Sequence, residues 1–351
     1  MNDAGTRACV CLSRNNPLAI VDLPAGTVSR QIPVGIAPFD VVLSPDGDTA
    51  YVSDWGGRRP GTGDRTATSA GSAVVVDTRG VGSSGAVSVV NLVTGVQTHL
   101  IPTGLHPSGL ALTADGLRLC VANANSDTVT LIDTSSKSAT ETVSVRPEAD
   151  LPFGSAANAL ALSPDERRLY VANGGNNALA VVSLPGEGRT GSVVEGFIPA
   201  GWYPSGVVAR GDRLFVCNAK GLGSRNRLQP GTGWSVYWHL GTLNRGGVPD
   251  AETLSKLTAQ VHEDSRVPQM LREREASLSQ VPPAPVPARR GESSLFRHVV
   301  YVVKENRTYD QLFGDLPQGN GDSNLCIYPR FVTPNHHALA EQYVLLDNFY
   351  C

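Results

Sequence analysis

One pattern recurs along this chain at a nearly fixed interval, and it limits the folds open to it. An apolar strand ends in Asn or Asp, a polar turn follows, and a second apolar strand ends in the same way. The pattern reads ACVCLSRNNPLAIVDL at 8–23, LCVANANSDTVTLIDT at 119–134 and LYVANGGNNALAVVSL at 169–184. A third, variable strand comes next, then a small or Pro-containing turn and a fourth strand running into an Asp-Gly-type turn. These endings read APFDVVLSPDG at 37–47, HPSGLALTADG at 106–116, AANALALSPDE at 156–166 and YPSGVVARGDR at 203–213. Asp46, Asp115, Asp165 and Asp212 mark the last turns, at successive spacings of 69, 50 and 47 residues. Four strands per unit at a period in the forties is the mark of a β-propeller blade.

The long first spacing comes from an insertion, GGRRPGTGDRTATSAGSAVVVDTRGVGSSG at 56–85, after the strand TAYVSDW. Four repeats follow from this reading, 7–47, 48–116, 117–166 and 167–213, with a fifth begun by LFVCNAKGLGS. Alternation such as Val129 and Leu131 against Thr128 and Thr130 predicts one buried and one less buried face. The 37 Gly and 24 Pro suit strands joined by tight turns. With 17% charged and 41% hydrophobic residues, a buried core is within reach and a coiled coil is not. The expected fold is therefore mainly β, a propeller of about four to five four-stranded blades, incomplete in number.

Past the repeats, one last strand is expected around HLGTLNR, completing a propeller region at 1–248. A helix-start signal at Asp250 precedes Leu254, Leu257 and Val261 at helical spacing. With the polyproline-like VPPAPVPARRGE at 281–292, this makes 249–295 a helical and Pro-rich linker. Net charge is −3, with no basic stripe, which argues against a nucleic-acid partner. No run of 18 apolar residues occurs, so no transmembrane segment is expected. The start shows no charged region followed by an apolar one, so no signal peptide is expected in this chain. Cys9, Cys11, Cys120, Cys217, Cys326 and Cys351 lack CxxC spacing and read as thiols in strands.

Chemistry concentrates after the linker, in FRHVVYVVKENRTYDQLFGDL at 296–316. HVVYVV reads as a strand buried on both faces of a parallel sheet, and TYDQLFG as the opening of a helix. Ligands bind open α/β sheets at the carboxyl ends of strands. Glu305 and Asn306 stand at such an end and offer two oxygens to a cation, or else they cap the helix and pair with Arg307. His99 and His106 read as polar turn residues. Trp202, Tyr203, Trp234 and Trp238 suggest a carbohydrate-stacking surface or blade and interdomain packing.

YVSD at 51–54, CVAN at 120–123, YVAN at 170–173 and FVCN at 215–218 resemble the name-giving tetrapeptide of YVTN/YncE-like propeller repeats. VVKENRTYDQLFGDL resembles the opening motif of the phosphoesterase family of acid phosphatases and phospholipase C-type enzymes, within the alkaline phosphatase superfamily. GNGDSNLC, VTPNHHALAEQYVLLDNFY, WGGRRPGTGDRTA and NAKGLGSRN are similar to segments of a subfamily that fuses such a domain to a YncE-like propeller.

That resemblance implies a metal-dependent hydrolase acting on a phosphate-ester small molecule or a phospholipid-like substrate. It implies that Glu305 and Asn306 bind a divalent metal ion, with His336 or His337 reaching the active site or else serving a loop or helix cap. Residues 296–351 are then the first part of the phosphoesterase domain, and the nucleophile is not among them. The expectation is a fragment inactive alone, of periplasmic or secreted origin by resemblance and cytoplasmic if expressed as written. The alternative is a non-catalytic propeller that binds a ligand or acts as a scaffold.

Overall fold

Val, Ile, Leu and Ala fill the repeated strands, and Gly, Asn or Asp close them, so the chain folds as short antiparallel ladders. The computed structural model describes residues 1, 4–149, 151–186, 190–221, 240–275, 281–288 and 291–347. Two units are present, one of residues 1–221 and 241–272, the other of residues 222–240 and 273–351.

The first unit is a succession of antiparallel sheets. A three-stranded sheet holds β1 (Arg7–Cys11), β2 (Pro17–Asp22) and β3 (Thr27–Pro33). The next orders β4 (Ile36–Leu43), β5 (Thr49–Gly57), β8 (Ala86–Asn91) and β9 (Val96–Pro102), and the insertion forms its own hairpin of β6 (Thr66–Ser69) and β7 (Ser72–Val75). A third sheet holds β10 (Pro107–Leu112), β11 (Arg118–Asn123), β12 (Thr128–Asp133) and β13 (Ser138–Ser144). The fourth holds β14 (Ala157–Leu162), β15 (Arg168–Asn173), β16 (Ala178–Ser183) and β17 (Val193–Pro199). The fifth has three strands, β18 (Pro204–Arg210), β19 (Arg213–Asn218) and β20 (Thr242–Gly247). These are propeller blades, and they are out of phase with the sequence repeat. The strand expected to close each unit instead opens the next sheet, because the Asp-turn joins it as a hairpin to the strand that follows.

Apolar cores lie between successive sheets. Leu119 and Val121 of β11 face Tyr51, Val87 and Val89 of the preceding sheet. Their neighbours Cys120 and Ala122 face Leu169, Val171 and Ala180 of the following one. The same division holds in β15, where Tyr170 and Ala172 turn to Val207, Leu214 and Val216. Both faces of the middle strands are thus buried, contrary to the one-sided burial expected from Thr128 and Thr130. Thr130 is buried too, its hydroxyl accepting a hydrogen bond from Asn123 Nδ2 at 2.9 Å.

The hairpin turns repeat in atomic detail. Ser44, Thr113 and Ser163 each donate a hydroxyl to the Asp two residues on, at 2.5, 2.6 and 2.6 Å. Gly47 and Gly116 then take positive φ. Where the third turn has Glu166 instead, at φ 55°, its carboxylate accepts the backbone N–H of Ala114 in the neighbouring blade at 2.6 Å.

Helix α1 (Ala251–Asp264), which the sequence reading assigned to a linker, is part of this unit's core. Asp250 caps it, accepting from the Thr253 N–H at 2.8 Å. Leu254 enters the core between the fourth and fifth sheets, and Val261 that between the third and fourth. Thr258 accepts the N–H of Phe197 at 2.8 Å, beside Gly196, where a Cβ would come within 2.3 Å of the threonine hydroxyl. Helix α2 (Val267–Glu275) follows.

In the second unit the HVVYVV run does not form the expected buried strand. Val299 to Val303 are 70–87% exposed and outside any sheet. A strand is held by ladder hydrogen bonds, and among the described residues no neighbour pairs with this one. The alkaline-phosphatase-like part of the expected fold therefore shows no sheet among the described residues. The described residues of this unit contain α3 (Tyr309–Phe313), a 3₁₀ turn at Ser323–Leu325 and α4 (Pro334–Gln342).

Replacing Leu254 by Ala should lower stability by about 2–5 kcal/mol, the cost of a large-to-small change in a packed core. Urea unfolding followed by circular dichroism checks this: the midpoint should fall with an unchanged slope.

Candidate functional site

In four of the five sheets, the end where the first strand begins carries a repeated backbone device. Ala37, His106, Ala156 and Tyr203, one residue before that strand's Pro or Ala, all take φ between 52° and 59°. Alanine meets this requirement in two blades, so bulky His and Tyr in the other two are exceptional residues at a strained position. His106, Ala156 and Tyr203 offer their carbonyls to the N–H groups of Ala124, Gly174 and Ala219. Those three small residues directly follow the Asn that ends the second strand. In the second sheet the corresponding residue is Trp55.

This indole organises an aromatic site in the first unit. Phe39 stacks on Trp55, with centroids 4.2 Å apart and planes at 18°, and His106 tilts against the indole at 4.3 Å and 48°. A cavity of about 190 Å³ lies beside them, walled by Ile36, Val74, Trp55 and His106 and edged by Ser69 and Ser72. The two serines flank the tip of the inserted hairpin. Asn16, in the β1–β2 turn, holds that tip in place by donating to Ser72 Oγ at 2.8 Å while accepting the Ala37 N–H at 2.8 Å. Arg59 ties the same region together, donating to the carbonyls of Val34 (2.7 Å) and Asn16 (3.1 Å).

Two polar atoms of the lining residues are buried without a hydrogen-bond partner in the protein, Trp55 Nε1 and His106 Nδ1. Burial lowers the His106 pKa, and a hydrogen bond with Asn125 opposes the shift only in part, so the imidazole is neutral at pH 7. Trp55 and His106, which line the cavity, thus carry an indole N–H and a neutral imidazole nitrogen that no protein group satisfies. His106, read from sequence as a turn residue, occupies a turn and lines the site as well. Its signal was available in the repeat, as a bulky side chain where other blades carry Ala.

Trp202 and Tyr203 lie at the corresponding end of the fifth sheet, with Lys220 Nζ 5.5 and 5.4 Å from their ring centroids. Gly174 makes room for the Tyr203 ring, which a Cβ there would approach to 2.9 Å. Trp234 and Trp238 lie outside the described residues.

The second unit holds the residues singled out for phosphoester chemistry. Glu305 and Asn306 are exposed, in the segment before α3. They do not cap that helix: Thr308 does, in a capping box with Gln311. Arg307 turns to Tyr328, donating to its hydroxyl at 3.1 Å, and to the backbone oxygen of Asn306 at 2.7 Å. Lys304 Nζ lies 2.6 Å from His336 Nε2. His337 points elsewhere and is fully buried, its Nε2 2.8 Å from Asp315 and its Nδ1 2.9 Å from the Thr333 carbonyl. Both ring nitrogens are occupied, Nδ1 at the start of α4 itself and Nε2 in tying α4 to the loop after α3. Among the described residues no group of three or more His, Cys, Asp or Glu converges as a metal cluster, so Glu305 and Asn306 form no closed site there.

Residues 61–187 match the family of YNCE-like beta-propellers. No curated protein matches the chain. Among solved structures it is similar to hydrazine synthase of Kuenenia stuttgartiensis, at 16% identity over 71% of this chain and 83% of that one, with a TM-score of 0.40. It is also similar to the dihydro-heme d1 dehydrogenase NirN in complex with DHE, at 16% identity over 63% and 41% of the two chains and a TM-score of 0.45. A protein of unknown function from Desulfotomaculum acetoxidans shares 14% identity over 72% of this chain and 71% of its own, with a TM-score of 0.45. No helix is long and apolar enough to cross a membrane among the described residues.

Burial acts upward on the Asp315 carboxyl, but hydrogen bonds from His337 and the Arg330 N–H outweigh it and hold the pKa at about 2. A lowered folded-state pKa gives stability that is complete above the unfolded value and is lost as pH falls towards 2. Asp315→Asn should remove that acid-labile part, and the His337 ring resonances followed by NMR from pH 5 to pH 2 should show it.

Proposed function

We propose that the chain works as a propeller binding module, with its ligand held at the Trp55–His106 cavity. The observation that supports this most is the pair of buried, unpartnered polar atoms carried by Trp55 and His106, which line an aromatic-walled cavity edged by the inserted hairpin tip. A buried donor without a partner costs about 1–3 kcal/mol, so a ligand supplying an acceptor gains from filling it. The cavity is smaller than the roughly 300–1,000 Å³ of drug-sized sites, which favours a small planar ligand with one carbonyl-type acceptor. Saturation-transfer NMR with benzamide and nicotinamide as probes tests the reading. Transfer should be seen with the unaltered chain and lost in Trp55→Ala; equal transfer in both, or none in either, counts against the site.

A second reading is metal-dependent hydrolysis of a phosphate ester or phospholipid-like substrate, by a protein of periplasmic or secreted address. It is favoured by the exposed Glu305–Asn306 pair, near in sequence to Lys304 with its His336 partner, in the segment that resembles the phosphoesterase motif. Calorimetric titration with Zn²⁺ or Mn²⁺ should show binding that Glu305→Gln abolishes, while hydrolysis of p-nitrophenyl phosphate by this chain stays at background. Metal binding unaffected by Glu305→Gln would remove this reading.

A further inference from the structure

The second strands of four sheets carry equivalent residues, Asp54, Asn123, Asn173 and Asn218, and all four side chains are buried, at 0–1% exposure. In each of them Oδ1 has no hydrogen-bond partner. The three asparagines use their amide nitrogens as donors, to Thr128 and Thr130, to the Val145 carbonyl, and to Thr242 and Asn244. Asp54 has no such donor when ionised. It accepts from Ser88 Oγ at 2.6 Å, and Ser88 in turn accepts the Gly35 N–H at 3.2 Å.

A carboxylate buried in this way needs a cation close by. The cation that acts on it is Arg59, whose guanidinium is occupied by the carbonyls of Val34 and Asn16. From the other elements, Cys11 of β1 lies within electrostatic reach of both Asp54 and Asp40 of β4, so that side contributes negative charge and a thiol. Space is equally restricted. A Cβ on Gly35 would come within 2.5 Å of the Asp54 carboxyl and 2.6 Å of the Gly57 carbonyl, so no water-sized gap separates them.

We infer that Asp54 is held as the neutral acid in the folded protein, in the place its sister blades give to asparagine, and that its ionisation loosens the junction of Gly35 and Gly57 in the second sheet. Burial raises its pKa to about 8, against the lowering effects of Ser88, the Gly35 N–H and Arg59. The sign follows. Below about pH 4 both folded and unfolded chains hold the proton; from there up to about pH 8 only the folded chain does, and stability falls as pH rises. Ile36, Ala37 and Gly56, which line the Trp55 cavity, flank that junction. The inference is independent of whether a ligand binds there.

The test compares the full chain with Asp54→Asn at pH 4, 6 and 8. Urea unfolding should show the variant gaining on the parent as pH rises, by up to about tenfold in the folded-to-unfolded ratio per pH unit. Peptide-level hydrogen exchange at matched pH should show faster opening of residues 34–58 in the parent at pH 8, with no difference at pH 4. A gap that does not change with pH, or a variant less stable at pH 8, overturns the inference. Infrared spectroscopy of the parent serves if the variant does not fold: a protonated-carboxyl band should persist at pH 6 and vanish on alkaline titration, and its absence at pH 6 overturns the inference.

Discussion

A blade of four short strands has two apolar faces and cannot cover either by itself. The structure of the first unit depends on neighbouring sheets covering those faces, with Leu119 and Val121 buried on one side of β11 and Cys120 and Ala122 on the other. Each large apolar side chain sealed in this way contributes on the order of 1.5–3 kcal/mol, and both adjoining sheets depend on it. Stability in such an array is close to a sum of nearest-neighbour interfaces. This explains why α1 sits where it does: Leu254 and Val261 supply apolar surface to two successive interfaces, and Thr258 satisfies a strand N–H beside Gly196. It explains the thiols too, since burial pushes Cys120 and Cys11 up to about 12 and leaves them inert.

Much of the blade architecture was legible in the repeat, because hairpin turns leave a chemical record. Asp46, Asp115 and Asp165 each accept a hydroxyl and a backbone N–H, which few other side chains can do in so short a turn. Phase was not legible. A repeat of four strands looks the same wherever counting begins, and only hydrogen bonding shows that Pro107–Leu112 opens a sheet and does not close one. The helix at Ala251–Asp264 was legible from its cap and periodicity, while its place in the core was not, since Leu254 and Val261 reveal an apolar face and not what covers it.

The candidate site was legible only in part. Glu305, Asn306, His336 and His337 were selected by motif. The structure separates them into an exposed pair, a lysine-linked histidine and a buried histidine joining Asp315 to Thr333. Burial decides those roles, and a linear motif carries no information about burial. The Trp55 cavity went unseen for a different reason. It is assembled from the β1–β2 turn, the tip of an insertion and two blades, far apart in sequence and brought together by Asn16 and Arg59.

Four sheets built on one backbone plan also form a set of substitutions made by the protein itself. At a position where the main chain is the same in each, Ala124, Gly174 and Ala219 record what the fold requires, and Trp55 records a departure from it. The same holds for Ala37 and Ala156 against His106 and Tyr203. In a chain of near-copies the shared residues describe the scaffold. What is particular to this protein lies in its mismatches, and those mismatches fall at one end of the blades.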